Sequence, residues 1–529
     1  MSSHEETVSP PPRTRSGAAG DESKLTTGTL IAACFAVTLA QIGLAIPATL
    51  NGLFQQNLHP IGSQLTWISD AFLLPVAALE LSFGVLGDLF GRKRLLVAGA
   101  VLLTAGELVG SASSGIYLLW AGQALAGLGA AALFPTSLAM LAAGTHTPKE
   151  RARSIALWAG CLSAGGFLAP VLGGITGSYG SWRWSLIVVG LLGAVCIVLS
   201  AALAKNSSAP EGRSLDWAGQ ATLAIGLIAL LYSVIQGPAD GWGAPAVIIG
   251  FVLAIVFVGL FLVAEVRAES PLLRLDLFRN RGFAIASAVA VIGMFAFLGT
   301  AYATSIRLGP IQHQSPLRTS IPFLLLQGPA FVLIPLTSWL LERVNPRWLL
   351  GSGLVIMAIG QFAASTMPIS DTTLTSLVVP IGLVGVGFAL TVASITATAV
   401  NTVPIRLAGM ASATTSLLRD IGFTLGPAVI GAVALGQAAT RFSAALPGAG
   451  LPAGQLAAAQ QAAQAGGPLA VNGIEPGEPG SAAHQLAFDT LGHGYALGYI
   501  VCGAASLIAA IVTVVALRGD RSSGRSGGR

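Results

Sequence analysis

Apolar runs recur fourteen times along this chain, near 29–50, 67–87, 95–114, 116–142, 154–176, 184–204, 217–236, 245–266, 282–306, 319–341, 348–368, 375–400, 408–436 and 491–517. About 20 apolar residues suffice to cross the hydrocarbon of a bilayer as one helix. Inside lipid, a helix satisfies its backbone polar groups within one segment. The pattern therefore predicts an all-α integral membrane protein with fourteen transmembrane helices. Composition rules out the alternative of buried helices in a water-soluble domain. Charged residues make up 9% of the chain and hydrophobic types 53%, whereas soluble domains carry roughly a quarter charged residues. The net charge of +5 is then no sign of nucleic acid, and its meaning lies in where the cations fall.

Lys and Arg are retained on the cytoplasmic side of a membrane. With fourteen spans and the N-terminus inside, 22 of the 27 cations fall on the inner side. Arg183, Arg307, Arg318 and Arg441 fall outside, and Arg419 lies within a span. A missed or extra span would invert every later loop and destroy this asymmetry. Both termini are thus expected in the cytoplasm. The polar stretches 1–28 and 518–529 read as tails, the first disordered. No cleaved leader is expected ahead of the first span.

The segment 437–490, rich in Ala, Gly, Pro and Gln, reads as an external loop, partly disordered, with a short helix near 454–465. His484 and His493 near its end are isolated titratable groups. Cys34, Cys161, Cys196 and Cys502 sit singly in apolar runs and read as small packing residues. No nucleotide-binding loop, catalytic triad or metal cluster stands out. Neither enzyme chemistry nor a cofactor is expected.

The turn after the second span reads GVLGDLFGRKRLL, with Gly84, Asp88, Gly91, Arg92 and Lys93 at fixed spacing. It closely resembles the signature of the major facilitator superfamily, and it lies between the second and third spans as in that family. WISDAFLLPVAALELSF, AGLGAAALFPTSLAML, HQSPLRTSIPFLL and SLLRDIGFTLGPAVIGAV resemble segments of its drug:proton antiporters with fourteen spanners. GGFLAPVLGGITGSYGSWRWSL, carrying Gly165, Gly166, Pro170, Gly173 and Gly174, resembles the fifth-helix motif of exporters.

The resemblance implies two six-helix bundles, 29–204 and 282–517, with two extra helices in 205–281 and a central cavity that opens to either side in turn. It implies export of small amphiphilic compounds in exchange for protons, by a monomer in a bacterial inner membrane. Asp88 becomes a conformational latch, and Arg92 and Lys93 become its partners or contacts for anionic lipid. The fifth-helix glycines become a close-packing seal.

Two positions depart from the family. Thr38 stands where the first helix usually holds an acid, and Gln123 stands where the fourth usually holds an arginine. Proton coupling then has to rest on other groups inside spans. The candidates are Glu80, Arg419, Asp420 and Glu107. Glu80 lies ~12 Å from the Asp88 turn at the helical rise and is expected to pair with Arg419 across the two bundles. Glu107 is expected in a peripheral setting, protonated or locally hydrogen-bonded, and Asp70, near Trp67, in solvent. Arg307 reads either as a lure for anionic substrate or as a side chain reaching to headgroups. The departures keep two alternatives open: an uncoupled facilitator or lipid or metabolite flippase of the same fold, and a transport-dead membrane scaffold.

Overall fold

The computed structural model describes residues 25–145, 147–209, 214–268, 271–403 and 408–516. Most of both expected tails, and Arg406, lie outside the described residues. Among those described there is no strand. The chain runs as α1 (Thr27–Ala45), α2 (Asn51–Leu58), α3 (Gln64–Phe90), α4 (Arg92–Ser111), α5 (Ile116–Ala143), α6 (Pro148–Tyr179) and α7 (Trp182–Leu203). There follow α8 (Trp217–Asp240), α9 (Pro245–Arg267), α10 (Arg281–Ile306), α11 (Pro316–Val332), α12 (Ile334–Arg343) and α13 (Pro346–Ser365). The last are α14 (Thr375–Asn401), α15 (Ala408–Ala445), α16 (Ala453–Asn472) and α17 (His484–Ala516). A 3-10 turn, Ile46–Thr49, extends α1, and a π-helical turn, Arg307–Ile311, extends α10.

Among the described residues, thirteen helices are long and apolar enough to cross a membrane, and α11 with α12 supplies a fourteenth if that pair, bent by 49°, is one span. The single helix expected over 319–341 is thus broken, at Leu333. Pro335 has no N–H to continue the α11 ladder and suits the first turn of α12 instead. Exposed Tyr117, Tyr179, Trp184, Trp217, Trp242, Trp339 and Trp348 all stand near helix ends, where an amphipathic ring matches a membrane–water interface. Helix α9 turns Ile249, Val252, Ile255 and Val263 outward, as a lipid-facing helix does.

The packing forms two groups. Helices α1 and α3–α7 pack on one another, and α10, α11, α13–α15 and α17 do the same. Helices α8 and α9 pair together, and α8 lies against both α3 and α15. We call the face carrying the Asp88–Arg94 turn the charged face, and the opposite one the far face.

The 437–490 segment departs most from expectation. Helix α15 continues to Ala445, and α16 covers Ala453–Asn472 with a kink at Gly466 and Gly467. Alanine is the best helix former, so AGQLAAAQQAAQA needs little apolar surface to be helical. Phe442, Leu446, Ala459, Val471, Ala483 and Ala487 form a small core of their own beneath it. The segment is an ordered cap.

Candidate functional site

The two groups meet along a seam at the far face. There Asn51 donates to Ser305 Oγ at 2.8 Å, Ser305 donates to the Ala48 carbonyl, and Thr66 and Tyr302 share a 2.6 Å hydrogen bond. A Cβ on Gly52 would lie 2.9 Å from Gly309 Cα, so only glycine permits this approach. Asn472 of the cap donates to the Pro310 and Ile311 carbonyls at 3.2 and 3.3 Å, while Gly466 sits on Ile61 of the first group. The cap therefore touches both groups over the closed mouth.

Helix α6 carries the fifth-helix motif as two glycine faces. Gly165 and Gly173 lie against α1, at Thr38 and Gln41 and at Ile46 and Thr49. Gly166 and Gly174 lie against α11, at Gln327 and Ser320. The i, i+8 spacing repeats a face every two turns or so, so one motif fits the helix to its own group and to the other. Ser178 Oγ accepts from Leu317 N–H at 2.9 Å, and Phe167 stacks on Phe331 at 6.4 Å, along the same contact.

Inside the seam lies a cavity of about 50 Å³, lined by Leu44, Ala45, Ala48, Asn51, Ser69, Leu73, Pro170, Leu298, Ala301, Tyr302, Ser305, Phe323, Gln327 and Pro427. Its wall is mostly apolar, with a few neutral polar groups and no charge. That is the usual make-up of a site for an amphiphilic small molecule.

The turn motif is docked on the charged face. Arg92 donates to Asp88 Oδ1 through Nε at 3.0 Å and Nη2 at 2.7 Å, and both residues are buried. Arg92 N–H meets the Ser207 carbonyl at 2.9 Å, Ala209 N–H meets the Asp88 carbonyl at 3.0 Å, and Lys93 N–H meets Asn206 Oδ1 at 3.2 Å. Gly91 has φ +101°, and a Cβ there would strike Asn206. The segment after α7 thus holds the turn. Gly84 makes only ordinary contact with Pro135.

Charged groups within spans gather where α3 meets α15. Glu80 of α3 lies near Asp420 and Arg419 of α15. Beside them Gln220 of α8 bridges Ser82 and the Ala78 carbonyl. Glu107 is not peripheral. It is fully buried against Gly43 of α1, and neither carboxylate oxygen has a hydrogen-bond partner. Gln123 is likewise buried with its amide unpartnered, whereas Thr38 donates to the Cys34 and Cys161 carbonyls and ties α1 to α6.

Asp70, expected in solvent, is 0% exposed. Arg307 neither meets headgroups nor faces the cavity; its Nη1 and Nη2 donate to the Met367 and Pro368 carbonyls at 2.9 and 2.6 Å. In the same loop, hydrogen bonds from Thr373 hold the Asp371 carboxyl below the usual carboxylate range. His484 stacks on Phe488, His493 faces the Asp489 carbonyl, and among the described residues no group of three potential ligands can hold a metal.

Sequence reasoning missed the neutral partners, Asn51, Thr66, Tyr302, Asn206, Ser207 and Gln220. Their only signal is a polar residue inside or beside an apolar run.

Comparison with known proteins agrees with this architecture. The family profile of the Major Facilitator Superfamily matches residues 31–427. The chain is 33% identical over 371 residues to the multidrug resistance protein Stp of Mycobacterium tuberculosis, a match covering 70% of this chain and 68% of that protein. It is 27% identical over 494 residues to the tetracenomycin C resistance and export protein of Streptomyces glaucescens, covering 92% and 90%. Among solved structures, a bacterial homologue of the human lysosomal transporter Spinster superposes with a TM-score of 0.68 at 15% identity, over 95% of this chain and 98% of that one. These are transporters and resistance proteins rather than enzymes. The chain belongs to the Major Facilitator Superfamily and is a multi-pass membrane transporter.

Proposed function

We propose that this transporter exports small amphiphilic compounds, with drugs, antibiotics or a producer's own metabolites as the substrate class, in exchange for protons and by alternating access. The observation that carries the reading is the uncharged, largely apolar cavity enclosed by a far-face seam of glycines and neutral hydrogen bonds. Such a seam parts without stranding a buried charge. The relatives named for multidrug resistance and antibiotic export support the substrate class.

The charged face is assigned to the cytoplasm by its cations, so the described state is closed to the outside. The chain divides into bundles at 29–204 and 282–517, with α8 and α9 as the inserted pair and the protein working as a monomer. Asp88 and Arg92 act as the latch at the charged face, with Lys93 free for lipid headgroups. The Glu80–Asp420 pair beside Arg419 is the coupling site: it holds a proton while α3 and α15 touch and releases it when they separate.

The test is ethidium movement into proteoliposomes under an imposed pH gradient. Accumulation that collapses when the gradient is dissipated is expected. Ethidium movement that ignores the gradient favours a second reading, an uncoupled facilitator or flippase, which the neutral Thr38 and Gln123 recommend.

A further inference from the structure

The inserted pair α8 and α9 takes no step in the export cycle, yet its charged-face end holds two carboxylates aimed at one point. Asp216 caps the start of α8, its Oδ1 accepting the Gly219 N–H at 2.8 Å. Glu265 stands in the last turn of α9, and its Oε2 accepts the Leu273 N–H at 2.8 Å. A backbone N–H thus orients each carboxylate through one oxygen and leaves the other bare. Asp216 Oδ2 and Glu265 Oε1 are both enclosed, and neither has a hydrogen-bond partner. They converge over Gly219: a Cβ there would strike Asp216 Oδ2 and come within 2.8 Å of Glu265 Oε1. Only glycine keeps that space open.

Two carboxylates in one enclosed space repel, and burial sharpens the cost. Among the described residues, no basic side chain forms an ion pair with either. A proton shared between them would bond the two bare oxygens to each other, and they are not bonded. A cation between them meets the need. Glu265 is 4% exposed and sits at the negative end of the α9 dipole, a place that suits a cation and not a bare carboxylate. Anionic oxygen donors select hard ions, Mg²⁺ or Ca²⁺, over softer metals. Ligating carboxylates are themselves usually held by hydrogen bonds, as both are here. Asp216 is only half-buried, which suits Mg²⁺, an ion that keeps several waters and takes one or two carboxylates.

We propose that Asp216 and Glu265 bind a hard divalent cation over Gly219, and that the ion staples the start of α8 to the end of α9. The next residue, Gln220, bridges Ser82 and the Ala78 carbonyl of α3. The ion therefore also fixes how the inserted pair sits against the first group. With the charged face assigned to the cytoplasm, the ion at hand is Mg²⁺; that last step rests on the reading above, and the site itself does not.

The test uses the full-length protein in phosphatidylcholine nanodiscs, stripped with EDTA and titrated with Mn²⁺, a hard paramagnetic stand-in for Mg²⁺. Free Mn²⁺ is read by electron paramagnetic resonance. Binding of about one Mn²⁺ per chain, half-saturated below about 1 mM and displaced by Mg²⁺, is expected. Glu265→Gln keeps an oxygen for the Leu273 N–H, and Asp216→Asn keeps the helix cap. Each is expected to weaken binding about tenfold or more, as is Gly219→Ala, which leaves both carboxylates and fills the space between them. Asp276→Asn, at an exposed acid paired with Arg274, is expected to leave binding unchanged. Mg²⁺ should raise the melting temperature of the unsubstituted protein by about 3 °C and leave that of Glu265→Gln where it was.

Absence of saturable Mn²⁺ binding, or binding equal in the unsubstituted protein and in Glu265→Gln and Asp216→Asn, overturns the proposal. So does a melting temperature that follows pH and ignores Mg²⁺, Ca²⁺ and Mn²⁺, the mark of a shared proton only. Should the variants fail to fold, hydrogen–deuterium exchange on the unsubstituted protein decides. Mg²⁺ is expected to slow exchange in the peptides carrying Gly219 and Leu273, and exchange there that ignores Mg²⁺ overturns the site. Failure of the export reading would show instead as ethidium indifferent to the gradient, with the Mn²⁺ titration unaffected.

Discussion

The two ends of α3 are held in opposite ways. At its far-face end Thr66 and its neighbours meet the second helix group through neutral hydrogen bonds and a glycine-to-glycine approach. At its charged-face end Asp88 is fixed by Arg92 and by the backbone of 206–209, just after α7, with no part of the second group involved in these bonds. Hydrogen bonds between helices in a membrane are individually weak, averaging about 0.6 kcal/mol, so the first contact is made to be broken. A buried ion pair loses about 3–5 kcal/mol when one partner goes, so the second contact defines a state firmly. One helix thus carries a reversible seam and a firm anchor.

Breaking the anchor should produce the largest effect. Asp88→Asn leaves the Arg92 guanidinium buried without its carboxylate, and a loss on the order of 3 kcal/mol is expected, visible as a lower melting temperature in detergent and a fall in transport. Gly91→Ala attacks the same turn through its backbone. The left-handed φ and the contact with Asn206 should cost about 1–2 kcal/mol, and Asn206→Gly in the same chain should recover only the steric part.

The seam should respond in transport before stability. Gly52→Val drives a side chain into Gly309, and overpacking of this kind costs about 1–3 kcal/mol. Far-face maleimide labelling of a cysteine placed at Ala301 on the cavity wall (Ala301→Cys) should rise roughly 5- to 150-fold while the protein stays folded; unchanged labelling would mean the seam is not the closure. Asn472→Ala removes the cap's bonds to Pro310 and Ile311. About 1 kcal/mol of closure should be lost, so labelling rises severalfold.

The smallest effect belongs to Asp371. Its folded carboxyl is held low by Thr373, so its contribution is present above the unfolded value and fades as pH falls through the folded one. Asp371→Asn should leave neutral-pH stability almost unchanged and slightly flatten the acid limb of a melting-temperature profile.

The spans and the turn motif were legible because each writes itself locally, as twenty apolar residues or as glycines and charges at fixed spacing. What stayed hidden depends on which helix lies opposite. Asp70 looks like an interfacial residue beside Trp67, yet the packed helices enclose it fully. Glu80 has Asp420 and Arg419 adjacent in sequence to choose between, and one residue of helix rotation decides which carboxyl or guanidinium it meets. Segment 437–490 was misjudged because alanine contributes helix propensity with little hydrophobicity, while the residues of its small core are scattered from Phe442 to Ala487.

The most direct test of proton-coupled export compares two ethidium assays in proteoliposomes bearing the unsubstituted protein or Glu80→Gln. One follows gradient-driven accumulation, the other exchange of ethidium across the membrane at equal pH. Coupling at the carboxyl pair predicts that Glu80→Gln abolishes accumulation and leaves exchange within about twofold, since a neutral side chain removes the proton site and not the moving seam. Accumulation that persists in Glu80→Gln would contradict the assignment of coupling to this pair, and accumulation absent even from the unsubstituted protein would contradict proton-driven export of this probe.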